Sequence, residues 1–125
     1  MVERAHLILF VRDQERARAF WEAVLATPAT LHVPGMTELP LPGGAVLGLM
    51  PEAGIERLLD GAVRPSTSDV PRSEVYLVVA DLEAAWARAL AAGALVVQDP
   101  AARSWGHVAG YLRDPDGHLL ALARA

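Results

Sequence analysis

Two stretches of this 125-residue chain follow one plan, and that repetition restricts the possible folds more than any other feature. Residues 6–25 read His-Leu-Ile-Leu-Phe-Val-Arg-Asp-Gln-Glu-Arg-Ala-Arg-Ala-Phe-Trp-Glu-Ala-Val-Leu, an alternating run that passes into a helix. Residues 74–93 do the same. An offset of 68 (74 − 6) superposes Val11 on Val79, Asp13 on Asp81, Glu15 on Glu83 and Ala17 on Ala85. Two copies at so long a period indicate a duplicated supersecondary unit, since a solenoid needs three or more.

Within each copy the local chemistry sets the elements. Asp13 and Asp81 stand where a carboxylate can accept from the free N–H groups of a first helical turn. Ala17, Phe20, Trp21, Val24 and Leu25 form one apolar stripe, and Leu82, Ala85, Trp86, Ala89 and Leu90 form another at the same spacing. Gly93 is placed to end the second helix in a left-handed conformation, and Pro28 follows the first. Shorter extended pieces come next: Ala29–Val33, Met36–Leu41 and Ala45–Met50 in one half, Leu95–Gln98, His107–Arg113 and Leu119–Ala123 in the other. Each half therefore reads β-α-β-β-β. Pro42-Gly43-Gly44 and Asp114-Pro115-Asp116-Gly117 are corresponding turns, and aligning Gly44 with Gly117 pairs Val46 with Leu119, Leu47 with Leu120 and Gly48 with Ala121.

The predicted class is α+β, one domain of two modules: module one over about 1–50, a connector over about 51–71, and module two over about 72–125. The connector is rich in Pro, Gly, Ser and Asp; it reads as the most mobile segment, with a short helix over Ile55–Leu59. A hydrophobic fraction of 53% is high for so short a chain and predicts apolar surface buried in an oligomer, a homodimer being the expectation. The absence of Cys excludes a disulfide framework, a thiolate metal site and a thiol nucleophile. A net charge of −4 with scattered Arg offers no basic stripe for nucleic acid, and no stretch has the ~18 uninterrupted apolar residues of a membrane span. Without a basic-then-apolar leader at Met1, the expected location is the cytoplasm and the expected partner a small molecule.

Alternation along the two first strands sorts their faces. Leu7, Leu9 and Val11, like Val75, Leu77 and Val79, form aliphatic faces suited to pack on the helices. His6, Ile8 and Phe10, and Glu74, Tyr76 and Val78, fall on the opposite, concave face. Tyr111 and Arg113 join them if Leu112 packs on the helix.

The pattern His-x6-Asp-x6-Phe-Trp, the Val-Val-Ala-Asp-Leu strand-helix junction, Trp105-Gly106, and Asp-Pro-Asp-Gly-His-Leu-Leu-Ala-Leu together resemble the vicinal oxygen chelate superfamily. That group holds glyoxalases, extradiol dioxygenases, fosfomycin resistance enzymes and bleomycin resistance proteins. The resemblance implies two β-α-β-β-β modules forming a curved mixed sheet around a pocket, and in the enzymes a divalent metal held from the first and last strands of each module. Those positions fall on His6, Gly48, Glu74 and Ala121. Only His6 and Glu74 carry ligating side chains, and one imidazole with one carboxylate makes a weak site.

Three readings of His6 and Glu74 stay open at this point: residual metal ligands, a polar pair orienting a ligand or a proton, and a pair of no functional consequence. The first-choice function is a small-molecule binding protein of the bleomycin resistance type, sequestering a hydrophobic or aromatic ligand without a cofactor. Its expected ligand-binding residues are His6, Phe10, Gly48, Met50, Glu74, Tyr76, Trp105, Tyr111, Arg113 and Ala121, with Gly48 and Ala121 leaving room where larger residues would intrude. The alternative is a divalent-metal lyase or dioxygenase using His6, Glu74 and a third ligand such as Glu38 or His107. A scaffold protein without ligand is the third class. No nucleophile-base-orienter set stands out, and catalytic residues are not assigned.

Overall fold

The computed structural model describes residues 1–65 and 70–125. The chain divides into two compact units, Met1–Thr67 and Ser68–Ala125, with the division inside the expected connector. Residues 66–69 of that connector lie outside the described residues.

The first unit runs β1 (His6–Val11), α1 (Gln14–Leu25), β2 (Leu31–Val33), β3 (Met36–Pro40), β4 (Val46–Pro51) and α2 (Glu52–Leu58). The second runs β5 (Glu74–Val78), α3 (Leu82–Ala91), β6 (Leu95–Ala102), β7 (Val108–Arg113) and β8 (Leu119–Arg124). Both units are β-α-β-β-β and the α+β class holds. Each builds a four-stranded mixed sheet of matching order, β1-β4-β3-β2 and β5-β8-β7-β6, in which the first strand lies parallel to the last. The registers match as well: His6 pairs with Val46 and Glu74 with Leu119, so the repeat alignment of Gly48 with Ala121 is a structural equivalence.

The helix caps form as the sequence predicts. Asp13 accepts from the Arg16 N–H at 3.1 Å and Asp81 from the Ala84 N–H at 3.0 Å. Gly93 takes a φ of 104° after α3, whereas α1 ends on Ala26 at a φ of 52°, a left-handed conformation that costs an L side chain free energy. α2 begins three residues earlier than expected and buries Ile55.

In the first unit the core comprises Leu9, Val11, Leu39, Leu47 and Leu49 from the sheet, under Ala17, Phe20, Trp21 and Val24 of α1. In the second, Val75, Leu112, Leu120 and Leu122 lie under Leu82, Ala85 and Ala89 of α3. Trp86 is half-buried and sits on Gly110 of β7, where a Cβ would come within 2.5 Å of the ring. Leu90, expected on the stripe, is 41% exposed. At about 100° per residue it stands about 80° from Leu82 and overhangs the sheet contact. β6 extends past Gln98 through Asp99-Pro100 to Ala102, which is possible because it is an edge strand whose pairing with β7 shifts register twice.

The two equivalent turns close differently on the same frame. The Leu41 N–H donates to Ala45 O at 2.9 Å, and the Asp114 N–H donates to His118 O at 3.0 Å. Gly43 and Gly44 supply the positive φ values in the first turn. In the second the Asp114 carboxylate accepts from the N–H groups of Asp116 at 2.9 Å and His118 at 2.8 Å. Asp114 is 3% exposed, and burial holds its carboxyl above the ordinary carboxylate range against the opposing pull of His118.

Candidate functional site

The faces turned away from the helices carry the predicted residues. In the first unit, strand register puts His6 beside Val46, Ile8 beside Gly48 and Phe10 beside Met50, while Glu38 of β3 pairs with Gly48 from the other side. Glu38 reaches across β4, so that its Oε2 lies 3.4 Å from His6 Nδ1. The Arg4 guanidinium donates to His6 Nε2 at 3.0 Å. An Arg N–H can only donate, so Nε2 is an acceptor here and Nδ1 carries the proton toward Glu38. Both imidazole nitrogens are thus engaged inside the first unit.

The space expected at Gly48 is taken up locally. A Cβ there would stand 3.0 Å from Ile8 Cγ1 and 3.4 Å from Met36 Sδ, so these two side chains fold over the strand. Gly48 allows that close approach, and in doing so it admits Ile8 and Met36 rather than open volume.

The second unit has a different surface at the equivalent place. Tyr76 and Tyr111 both pair with Ala121, one from each side, and Ala121 is fully buried between their strands. Leu112 is fully buried toward α3, so Tyr111 and Arg113 take the other face as predicted. Glu74 and Arg113 flank Leu119 in register, and Glu74 is exposed. The β6–β7 hairpin folds over this face. The Trp105 indole N–H donates to Tyr76 Oη at 3.0 Å, and Tyr76 Oη lies 2.7 Å from His107 Nδ1. Indole is a donor only, so Tyr76 Oη accepts from Trp105, while the direction of the Oη–Nδ1 bond goes with the His107 tautomer. The Tyr76 and His107 rings lie 5.8 Å apart. Arg103 donates twice to Ala109 O, at 3.0 and 2.8 Å, and its guanidinium lies 5.0 Å from the Tyr111 ring centroid.

Sequence reasoning found Tyr76, Trp105 and Tyr111, named His107 only as an alternative metal ligand, and missed Arg103. The usable signal was the period of two in Arg103, Trp105 and His107 beside Gly106, whose φ of 96° marks the turn. A second polar set, also unforeseen, lies on the helix side of the first unit. Gln14 donates to Thr37 Oγ1 at 2.9 Å and Val33 O at 2.8 Å, His32 Nδ1 lies 2.7 Å from Thr37 Oγ1, and His32 Nε2 bonds Glu15. Glu15, His32 and Thr37 are ordered like a carboxylate-imidazole-hydroxyl relay, but Thr37 is fully buried with its oxygen already bonded twice, so it fastens the β2–β3 hairpin to α1. The Arg18 guanidinium, then His32, hold the Glu15 carboxyl below its ordinary range.

The superfamily model for glyoxalase, bleomycin resistance protein and dioxygenase matches residues 4–122. The chain belongs to the glyoxalase/bleomycin resistance protein/dioxygenase superfamily. Solved structures of similar fold include a glyoxalase-related enzyme from Fulvimarina pelagi, 22% identical, with 100% of this chain and 89% of that one covered and a TM-score of 0.83. A glyoxalase/bleomycin resistance protein/dioxygenase family enzyme from Burkholderia phytofirmans PsJN is 20% identical over 96% of each chain, with a TM-score of 0.82. A glyoxalase/bleomycin resistance protein/dioxygenase from Nocardioides is 22% identical, covering 99% of this chain and 85% of that one, with a TM-score of 0.74. None of the curated proteins matches the chain.

Superfamily membership implies a divalent metal for the enzymes, and the donors present do not fit one. Among the described residues no three His, Cys, Asp or Glu side chains converge. The equivalent positions Gly48 and Ala121 provide no donor atom, His6 holds Arg4 and Glu38, and His107 Nδ1 holds Tyr76. Among the described residues no helix is long and apolar enough to cross a membrane.

Proposed function

We propose that this superfamily member binds a small hydrophobic or aromatic molecule without a metal, in the manner of the bleomycin resistance proteins. The observation that carries the reading is the second unit's Trp105–Tyr76–His107 chain beside Tyr111 and Ala121. The Trp105 ring is 55% exposed yet tied at its only polar atom, so its faces are offered to a ligand with little ordering cost. Glu74, Arg113 and Ala121 are the remaining ligand-binding candidates of the second unit, and the first unit has its own, the paired Phe10 and Met50 with His6 and Gly48. The reading includes one functional domain, a cytoplasmic location, and a homodimer; Leu95, Val96 and Val97, between 48% and 67% exposed on edge strand β6, support the dimer.

A thermal-shift screen with aromatic metabolites and antibiotics, run in chelator, tests the proposal: a ligand selective for the folded state raises Tm with concentration. No shift across a broad aromatic library would overturn it. The metal-dependent reading draws support from Glu38 standing 3.4 Å from His6, which gives two donors within one unit. One tight equivalent of Ni²⁺, Zn²⁺ or Mn²⁺ per chain, lost on His6→Ala, would establish it instead.

A further inference from the structure

We propose that the ligand is an aromatic acid, stacked on Trp105 with its anionic oxygen accepting from His107 Nε2–H beside the Arg103 guanidinium. This rests on the proposed binding role of the second unit. The polarity of the hydrogen-bond chain supplies the first argument. Trp105 donates to Tyr76 Oη, and among the described residues the phenol has no acceptor other than His107 Nδ1; in the proposed site the phenol proton therefore goes to Nδ1 and the imidazole proton to Nε2. No other side chain or backbone group among the described residues is bonded to Nε2, and His107 is half-buried, so in that tautomer the ring presents an N–H that a ligand oxygen can take.

Charge supplies the second. Arg103 and His107 face each other across the β6–β7 turn, the Arg103 N–H donating to His107 O at 2.8 Å, and residues paired in this way project to the same side. The guanidinium is fixed in place by its two bonds to Ala109 O and by the Tyr111 ring, so a permanent positive charge stands on the hairpin that carries Trp105 and His107. The nearest carboxylate along β5, Glu74, sits two residues before Tyr76 and has Arg113 across Leu119 from it. A neutral hydrocarbon would use the indole face and leave both the Nε2–H and the cation unanswered; an aromatic carboxylate uses all three.

The first unit sharpens the assignment. Ile8 occupies the position equivalent to Tyr76 and folds over Gly48, so the duplicated frame has an apolar cover on one copy and an oriented donor on the other.

Calorimetric titration of the full chain with 2-naphthoate and with 2-methylnaphthalene, ring systems alike in size, separates the claims. The expected result is 2-naphthoate binding at least tenfold more tightly, with His107→Leu removing about tenfold from the acid and less than twofold from the hydrocarbon. Equal affinity for both probes, dependent on Trp105, would overturn the aromatic-acid assignment and leave the binding function standing. Binding of neither would overturn both. Should His107→Leu fail to fold, imidazole ¹⁵N spectra of the unaltered protein decide. A protonated Nε2 whose resonance moves on adding 2-naphthoate supports the assignment, and a proton on Nδ1 or an unmoved signal refutes it.

Discussion

Gly110→Ala isolates the closest packing contact of the second unit. The new Cβ would stand 2.5 Å and 2.7 Å from two atoms of the Trp86 ring and 2.9 Å from Pro100 Cδ. Carbon atoms rest at about 3.5–4.0 Å, so ring or strand must move by about 1 Å. Overpacking of this kind costs about 1–3 kcal/mol, and rigid neighbours on two sides put it near the top of that range. Gly110 is not among the positive-φ glycines, so alanine also gains about 0.4–1 kcal/mol by restricting the unfolded chain. The clash wins, leaving a net loss of about 2 kcal/mol, or roughly 6–10 °C in Tm for a chain of this size. Urea unfolding should show a lower midpoint at unchanged m. In a Trp86→Leu background the ring contacts are gone and only Pro100 Cδ at 2.9 Å remains, so the same substitution should cost about 1 kcal/mol or less. An equal loss in both backgrounds would refute the packing argument.

Four further substitutions, at three positions, follow from local geometry. Ala26→Gly should raise stability by about 0.5–1 kcal/mol in urea unfolding, because Ala26 holds a φ of 52° at the end of α1. Asp114→Ala should cost about 1–3 kcal/mol, since it strips the acceptor from the Asp116 and His118 N–H groups. Asp114→Asn keeps an acceptor and changes the pH dependence. The folded carboxyl lies above its ordinary 3.8, so the native state binds the extra proton between the two values. Its stabilising contribution is full below the unfolded pKa and lost as pH rises through the folded one, so the variant should gain on the natural protein across that window in unfolding curves taken from acid to neutral pH. Thr37→Val should cost about 1–2 kcal/mol by leaving Gln14 and His32 without their shared hydroxyl, and amide exchange in the β2–β3 hairpin should quicken.

The fold was legible because duplication repeats every local signal. Asp13 and Asp81 cap, Gly93 stops α3, and the turns at Gly44 and Gly117 fix the register that makes Gly48 and Ala121 equivalent. The candidate site was legible by face and not by partner. Alternation put His6 on the right side of β1, but its contact with Glu38 depends on a carboxylate spanning an intervening strand, which periodicity does not encode. Tyr76, Trp105 and Tyr111 were visible as aromatics; the period of two puts Arg103 and His107 on one side of the hairpin, but their contacts with Tyr111 and Tyr76 are tertiary and no spacing encodes them. The cavity expected at Gly48 failed for a simple steric reason: removing a side chain lets a neighbour in, and Ile8 entered.

The proposed metal-free binding is tested most directly by titrating 2-naphthoate into protein stripped with chelator and again after one equivalent of Zn²⁺ or Mn²⁺. One site per chain, of equal affinity in both titrations and abolished by Trp105→Ala, is the predicted result. Binding that appears only once the metal is restored, and disappears with His6→Ala, would contradict it.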